Sequence, residues 1–133
     1  MGLTYDSLTF LLTKAAKRAL GALEEELAPL DLTARQYLLL AIAAGGTELS
    51  QQDLAKKLDL DPTIVVKIID NLEDRGLLER ARSVDDRRRH QLTLTTKGKK
   101  LLHEAQTREQ KVERALSPHL RELRELLHEF LGV

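Results

Sequence analysis

The sequence predicts a mainly α fold that carries one small β-hairpin. Three observations predict it. Apolar residues recur at three- and four-residue spacing along most of the 133 positions. Helix caps cut that periodicity into separate helices. One stretch near residue 90 drops to a period of two, the mark of a half-buried strand. The length suits a single domain over 1–133 with a core of its own.

Each element follows from local chemistry. Leu8, Leu12, Ala16, Ala19, Leu23 and Leu27 share one face of a helix expected over 5–28, and Pro29 stops it. Thr33-Ala34-Arg35-Gln36 has the form of a capping box, in which two side chains satisfy free backbone N–H groups; it opens a second helix that ends at Gly45-Gly46. Ser50-Gln51-Gln52-Asp53 opens a short third helix with Leu54, Ala55 and Leu58 on its apolar face. Asp59-Leu60-Asp61-Pro62 interrupts it. Asp61 suits an N-cap, and Pro62 suits the first helical position, where no N–H is needed. The fourth helix then runs to about residue 75, with Gly76 as its stop. Its apolar stripe is Val65, Ile68, Ile69 and Leu72, which turns Thr63, Ile64, Val66, Lys67, Asp70 and Asn71 outward.

The pattern changes at Leu77. Residues 78–82 read as a short strand, and Gln91-Leu92-Thr93-Leu94-Thr95 alternates polar and apolar. Between them lies the polar, basic loop 83–90, so the pair forms a hairpin with a long basic tip. Thr95 or Thr96 caps a long helix to about residue 116. Ser117-Pro118 restarts the chain into a last helix whose face holds Leu120, Leu123, Leu127 and Phe130, widened by Leu126 and Leu131.

Composition narrows the function. There is no Cys, which removes disulfides, thiolate zinc sites and thiol redox sensing and fits a reducing, cytoplasmic setting. No apolar run reaches membrane-spanning length, and the first residues have no basic segment ahead of an apolar one, so neither a membrane span nor a signal peptide is expected. No Gly-rich phosphate loop, activated nucleophile or paired carboxylates in an apolar setting point to an enzyme, and no cofactor motif is present. The four histidines form no evident metal site. His119 and Glu122 lie one turn apart on the last helix, as in the helical metal pair of arsenic-repressor type regulators, but the second acidic and His pair that such a site needs is missing. The formal net charge is zero, yet residues 80–100 hold 8 basic and 2 acidic residues, a net of +6. Such a cluster suits a polyanion.

A helix pair over 50–58 and 62–75 with a tight turn between, followed by a basic hairpin over 78–95, is the order of a winged helix-turn-helix. The major groove of B-DNA admits one α-helix, and the second helix of such a pair enters it by its N-terminal end. A basic hairpin beside it reaches phosphates or the minor groove. Thr63 and Lys67 are the expected groove contacts. Ser50, Gln51 and Gln52 stand at a helix start that either binds phosphate or serves only as a cap.

The residues also resemble a known family. Leu32-Thr33-Ala34-Arg35-Gln36-Tyr37, Ser50-Gln51-Gln52-Asp53-Leu54-Ala55, Leu60-Asp61-Pro62-Thr63, Asp70-Asn71-Leu72-Glu73-Asp74-Arg75-Gly76-Leu77, Glu79-Arg80, Asp85-Asp86-Arg87-Arg88 and Leu94-Thr95-Thr96-Lys97-Gly98 follow in order across about residues 30–100. The set resembles the MarR family, the multiple-antibiotic-resistance type regulators. The resemblance implies a winged helix-turn-helix lobe over 30–100 and a helical dimerisation lobe from 1–29 and 101–133, paired about a two-fold axis. It implies that Asp86 fixes wing arginines, Arg88 pairing with it and Arg87 and Arg89 standing nearer the DNA. It implies a small aromatic or anionic effector in a cleft that Arg35 and Tyr37 would line, although Tyr37 as core and Arg35 as surface is equally open. The family has polar residues where this chain has Ile64 and Val66, and Arg where it has Lys67 and Asn71. Ile64 and Val66 either read thymine methyl groups or pack on neighbouring helices.

The expectation is therefore a cytoplasmic homodimeric regulator, a repressor released by a small ligand, that binds a pseudo-palindromic duplex. Two other readings stay open. One is a winged-helix module for a protein partner, suited by the apolar Ile64 and Val66; the other is a metal-responsive regulator.

Overall fold

The computed structural model describes residues 3–46, 48–82, 84–85 and 89–133, and its helices begin where the caps stand. Ser7 accepts the Phe10 N–H at 3.3 Å and so caps α2 (Leu8–Leu27). Ser7 also parts α2 from a single turn, α1 (Leu3–Asp6), so the helix expected over 5–28 comes in two pieces. A 3-10 turn over Ala28–Leu30 and Asp31 in the left-handed region (φ 54°) redirect the chain into α3 (Ala34–Ala43). Thr33 and Gln36 exchange both bonds of a capping box there, at 3.1 and 2.9 Å. Ser50 and Asp53 do the same at the start of α4 (Gln51–Leu58), at 3.0 and 3.1 Å. Asp59 ends α4 with φ 53°; Asp61 then accepts the Thr63 N–H at 2.8 Å, and Pro62 opens α5 (Pro62–Asp74). Gly76, at φ 71°, turns the chain out of α5 in a conformation that a side chain would strain.

Strands β2 (Leu78–Arg82) and β3 (Arg89–Leu94) are antiparallel, with Leu78 opposite Leu94 and Arg82 opposite His90. Strand β3 starts two residues before the alternating run read from the sequence. The sheet also has a third strand that the sequence pattern does not mark. β1 (Glu48–Ser50) lies just before α4 and pairs with β3, Glu48 opposite Gln91 and Ser50 opposite Arg89. The order β1-β3-β2 puts β3 in the middle. The hairpin is thereby tied to the start of α4, and does not hang free.

The core is built from leucine. Leu27 of α2, Leu39 and Leu40 of α3, Leu54 of α4, Ile69 and Leu72 of α5 and Leu92 of β3 are all fully or almost fully buried. Leu102 and Ala105 of α6 (Thr96–Leu116) close it from the far side. Among the described residues, Tyr37 is the one buried aromatic ring. Two helices behave differently. In α2 only Leu27 is buried, and in α7 (Leu120–Leu131) no residue is. Leu20, Leu123, Leu127, Phe130 and Leu131 are exposed in the single chain. No helix among the described residues is long and apolar enough to cross a membrane.

The start of α6 is locked to the end of α5. The Thr95 hydroxyl donates to the Gly76 carbonyl at 2.6 Å, the Thr95 N–H to the Leu77 carbonyl at 3.1 Å, and Lys97 Nζ to the Arg75 carbonyl at 3.0 Å. So close an approach requires Gly98, because a Cβ there would overlap the Leu77 carbonyl oxygen. Gly98→Ala should lower stability by about 1–3 kcal/mol through overpacking, although Ala is the better helix former. Gly21→Ala, on an exposed face of α2 where a Cβ meets nothing, should raise stability by about 0.5–1 kcal/mol. Urea unfolding of the two variants checks both signs, and a Gly98→Ala protein as stable as wild type would contradict the packing account.

Candidate DNA-binding surface

Helix α5 has two faces with different duties. Val65, Ile69 and Leu72 are buried, and Ile68 is half-buried against the same core. Thr63, Lys67, Asp70 and Asn71 are exposed, and so is Ile64, at 37%. Val66 is half-buried between the two faces. Thr63, Ile64 and Lys67 thus form one outward ridge at the N-terminal half of the helix, the end that enters a groove first in a helix-turn-helix.

Three side chains from outside α5 fasten its C-terminal half and so fix the direction of the ridge. Arg80 of β2 donates from Nη2 to Asp70 Oδ1 at 2.7 Å and to Glu73 Oε1 at 3.1 Å. Gln36 of α3 donates from Nε2 to Asn71 Oδ1 at 2.9 Å. Lys97 of α6 reaches the carbonyl of Arg75 beyond the C-terminal end, where a cation also meets the negative end of the helix dipole. Of these, Arg80, Asp70 and Gln36 are not among the site residues expected from sequence. Arg80 stands in the Glu79-Arg80 motif, but no local pattern shows which carboxylates it takes. Asn71, expected to face DNA, lies on the exposed face with its side-chain oxygen engaged by Gln36.

The start of α4 lies beside the sheet. Ser50 Oγ accepts the Asp53 N–H, so the hydroxyl serves as a cap. Gln51 is half-buried and Gln52 exposed. The Ser50 N–H, then the Ser50 hydroxyl, hold the Asp53 carboxyl below the usual carboxylate range, with Arg89 and Lys56 adding to the effect. Arg89 turns toward this cap. Its Nη1 donates to the Glu48 carbonyl at 3.3 Å and lies 3.6 Å from Asp53 Oδ2. Gln91 Nε2 donates to the Gly46 carbonyl at 2.8 Å. Both contacts fasten β3 to the segment that leads into α4. Asp86, Arg87 and Arg88 lie outside the described residues; Val84 and Asp85 are exposed.

The residues expected to line an effector cleft part company. Arg35 is exposed on α3, whereas Tyr37 is 5% exposed, and burial, then the neighbouring Glu109 carboxyl of α6, raises its hydroxyl above the ordinary tyrosine value. Glu109 in turn lines an apolar groove of ≈ 520 Å³ between α2, α6 and α7. His119 precedes α7 and Glu122 lies in its first turn, both exposed. No three His, Asp or Glu residues among those described gather as a metal site would require.

Known proteins share this arrangement. The MarR family model matches residues 32–90. An HTH-type transcriptional regulator of Bacillus subtilis, YhbI, is 38% identical over 105 residues, 77% of this chain and 67% of that protein. CouR of Rhodococcus jostii RHA1, solved with p-coumaroyl-CoA, superposes with a TM-score of 0.84 at 27% identity, covering 98% of this chain and 95% of that one. A mutant of Escherichia coli MarR solved with operator DNA superposes with a TM-score of 0.73 at 25% identity, over 93% of this chain and 92% of that one.

Arg80 fastens α5 to β2 through Asp70 and Glu73, so its loss should be felt in binding more than in folding. Arg80→Met should weaken binding to duplex DNA by about tenfold, that is, about 1.4 kcal/mol. It should cost about 1 kcal/mol or less of folding stability, because the ion pairs are partly exposed. Asp70→Asn should act in the same direction. Fluorescence anisotropy beside urea unfolding separates the two effects; unchanged affinity in both variants would contradict the bracing role.

Proposed function

The chain belongs to the MarR family, and on that premise we propose that it is a homodimeric repressor that binds a pseudo-palindromic operator and releases it when a small aromatic or anionic ligand binds. The observation that carries the proposal is the outward ridge of α5, braced from three elements and set at the N-terminal end of a helix whose other face is core. Thr63 and Lys67 contact base edges in the major groove. Ile64, and Val66 where it emerges, contact thymine methyl groups, which suits the apolar side chains present.

The wing, with Asp86, Arg87, Arg88 and Arg89, supplies backbone and minor-groove contacts. Arg89 shares its charge with Asp53, so its part in this proposal is to steady the base of the wing. Ser50, Gln51 and Gln52 meet the phosphate flanking the groove, and Asn71 completes the ridge beside its bond to Gln36.

A second copy of the chain covers the apolar faces of α2 and α7. Residues 1–29 and 101–133 then form the dimerisation lobe and 30–100 the DNA-binding lobe. Two recognition helices about one helical turn apart require a two-fold related site. The effector acts by preferring a different spacing of those helices, so that it shifts the population away from the DNA-bound form. Arg35 supplies the positive charge for an anionic ligand, and Tyr37 stands in the wall behind it. Such a regulator works in the cytoplasm and carries out no catalysis.

Salt and sequence separate the contacts. Affinity for duplex DNA should fall steeply as salt rises, with a slope that shrinks by about 1 per cation removed from the phosphate contacts. Lys67→Ala and the Ile64→Ser, Val66→Ser pair should change which bases are preferred, at about 1–3 kcal/mol per position read. Competition binding across operator variants checks this. Preferences identical to wild type at every position would remove these residues from the readout, and salt-independent binding to a protein partner alone would favour the interaction-module reading.

A further inference from the structure

The first N–H groups of an α-helix have no partner inside the helix, and a buried one needs an acceptor from elsewhere. At the start of α3 two such groups are served differently. The Thr33 N–H goes to Gln36 Oε1 within the capping box, at 2.9 Å. Ala34 is 1% exposed, and its N–H donates at 3.0 Å to Oε1 of Glu24, a half-buried residue of α2 ten positions earlier. A carboxylate also suits the positive end of the α3 dipole. Between the two helices the chain turns in little space. It passes through the 3-10 turn and Asp31, and the Leu32 N–H closes on the Leu27 carbonyl at 3.4 Å, with both leucines buried. α2 and α3 therefore meet in a pinned corner.

The same corner reaches α5, because Gln36 uses its amide twice. Its oxygen is committed to the Thr33 N–H, which leaves the NH2 group to face Asn71, and Nε2 donates to Asn71 Oδ1 at 2.9 Å. Cap and brace are one planar group, so a displacement of the first turn of α3 displaces the brace with it. One turn further along α5, Arg75 Nη2 lies 3.8 Å from Asp31 Oδ2. That exposed pair adds little energy, but it places the corner directly beside the end of α5.

We infer that Glu24 is a positioning residue for DNA binding: it fixes the start of α3 and, through Gln36, the setting of α5 relative to α2. The inference rests on the DNA-binding reading above, in which α2 belongs to the dimerisation lobe and α5 enters the groove. Glu24 contacts no DNA in that reading. Each α5 of the dimer is set relative to its own α2, so the tie at Glu24 governs how tightly the two recognition helices are spaced. It does not govern which bases each helix reads. Without an acceptor for the Ala34 N–H, α3 and α5 shift together against α2, and the dimer tolerates half-sites displaced from one another.

The test uses the full chain with its selected duplex, and with the same duplex carrying one base pair inserted between the half-sites. The insertion separates the half-sites by about 3.4 Å and rotates them by about a tenth of a turn. Wild type should bind the inserted duplex about tenfold more weakly. Glu24→Ala should bind the original duplex about fivefold more weakly than wild type, and lose no more than about twofold further on the insertion. Glu24→Gln keeps the acceptor and removes the charge, so it should behave as wild type. Gln36→Ala cuts the route at its next step; it should reproduce the Glu24→Ala pattern and serves if that variant does not fold. A purely structural loss would weaken binding to both duplexes alike and leave the insertion penalty in place. An insertion penalty in Glu24→Ala equal to that of wild type, or a Glu24→Gln protein that behaves as Glu24→Ala does, would overturn the inference. Wild type that selects no two-fold related duplex would overturn the DNA-binding reading, and the positioning role with it. The tie itself is then read by amide hydrogen exchange at Ala34, which should be faster in Glu24→Ala than in Glu24→Gln; equal rates would overturn the tie as well.

Discussion

The burial of one face of α5 is the constraint on which the rest of the molecule depends. Val65, Ile69 and Leu72 enter a leucine core at essentially full burial, and each such side chain contributes about 1.5–3 kcal/mol of transfer free energy. With that face fixed, a 3.6-residue period leaves Thr63, Ile64 and Lys67 pointing out, because the helix cannot rotate without pulling the stripe from the core. The polar contacts from Gln36, Arg80 and Lys97 are each worth far less. They set the tilt and pitch of a helix that the core has already placed, which is the property that reading base edges demands.

Most of this is legible from sequence where the signal is local. The pairs Thr33 with Gln36 and Ser50 with Asp53, and the Asp61-Pro62 start, are chemistry within three residues, and each cap forms as its residues require. The stripe of α5 is equally plain. What escapes is non-local or short. β1 has three residues and one buried side chain, too little to show a period, and exists because β3 offers it a partner. Gln36 and Asn71 are 35 positions apart, and Arg80 meets carboxylates on a different element. Arg89 ends a run of three arginines, which in sequence points it at DNA; the structure turns it toward the Asp53 cap, since β3 pairing with β1 brings the two together. The split at Ser7 is hidden because the apolar spacing continues across it.

Charge and hydropathy show the same division of labour. A net charge of zero conceals a basic segment at 80–100, while most of the exposed large apolar residues among those described belong to α2 and α7. A single chain that exposes Phe130, Leu131 and Leu127 on one helix has more apolar surface than a solitary domain usually tolerates. The basic segment suits a polyanion, and the apolar faces of α2 and α7 are where the proposal places a second copy.

The central claim is that two copies of α5 read a two-fold related duplex. The most direct measurement is selection of tight binders from random-sequence duplex DNA with the wild-type protein, followed by determination of the protein-to-DNA stoichiometry on the winners. The account predicts enrichment of a pseudo-palindrome with half-sites about one helical turn apart and two chains per duplex. Enrichment of a single unrepeated half-site bound by one chain, or no enrichment at all, would contradict it.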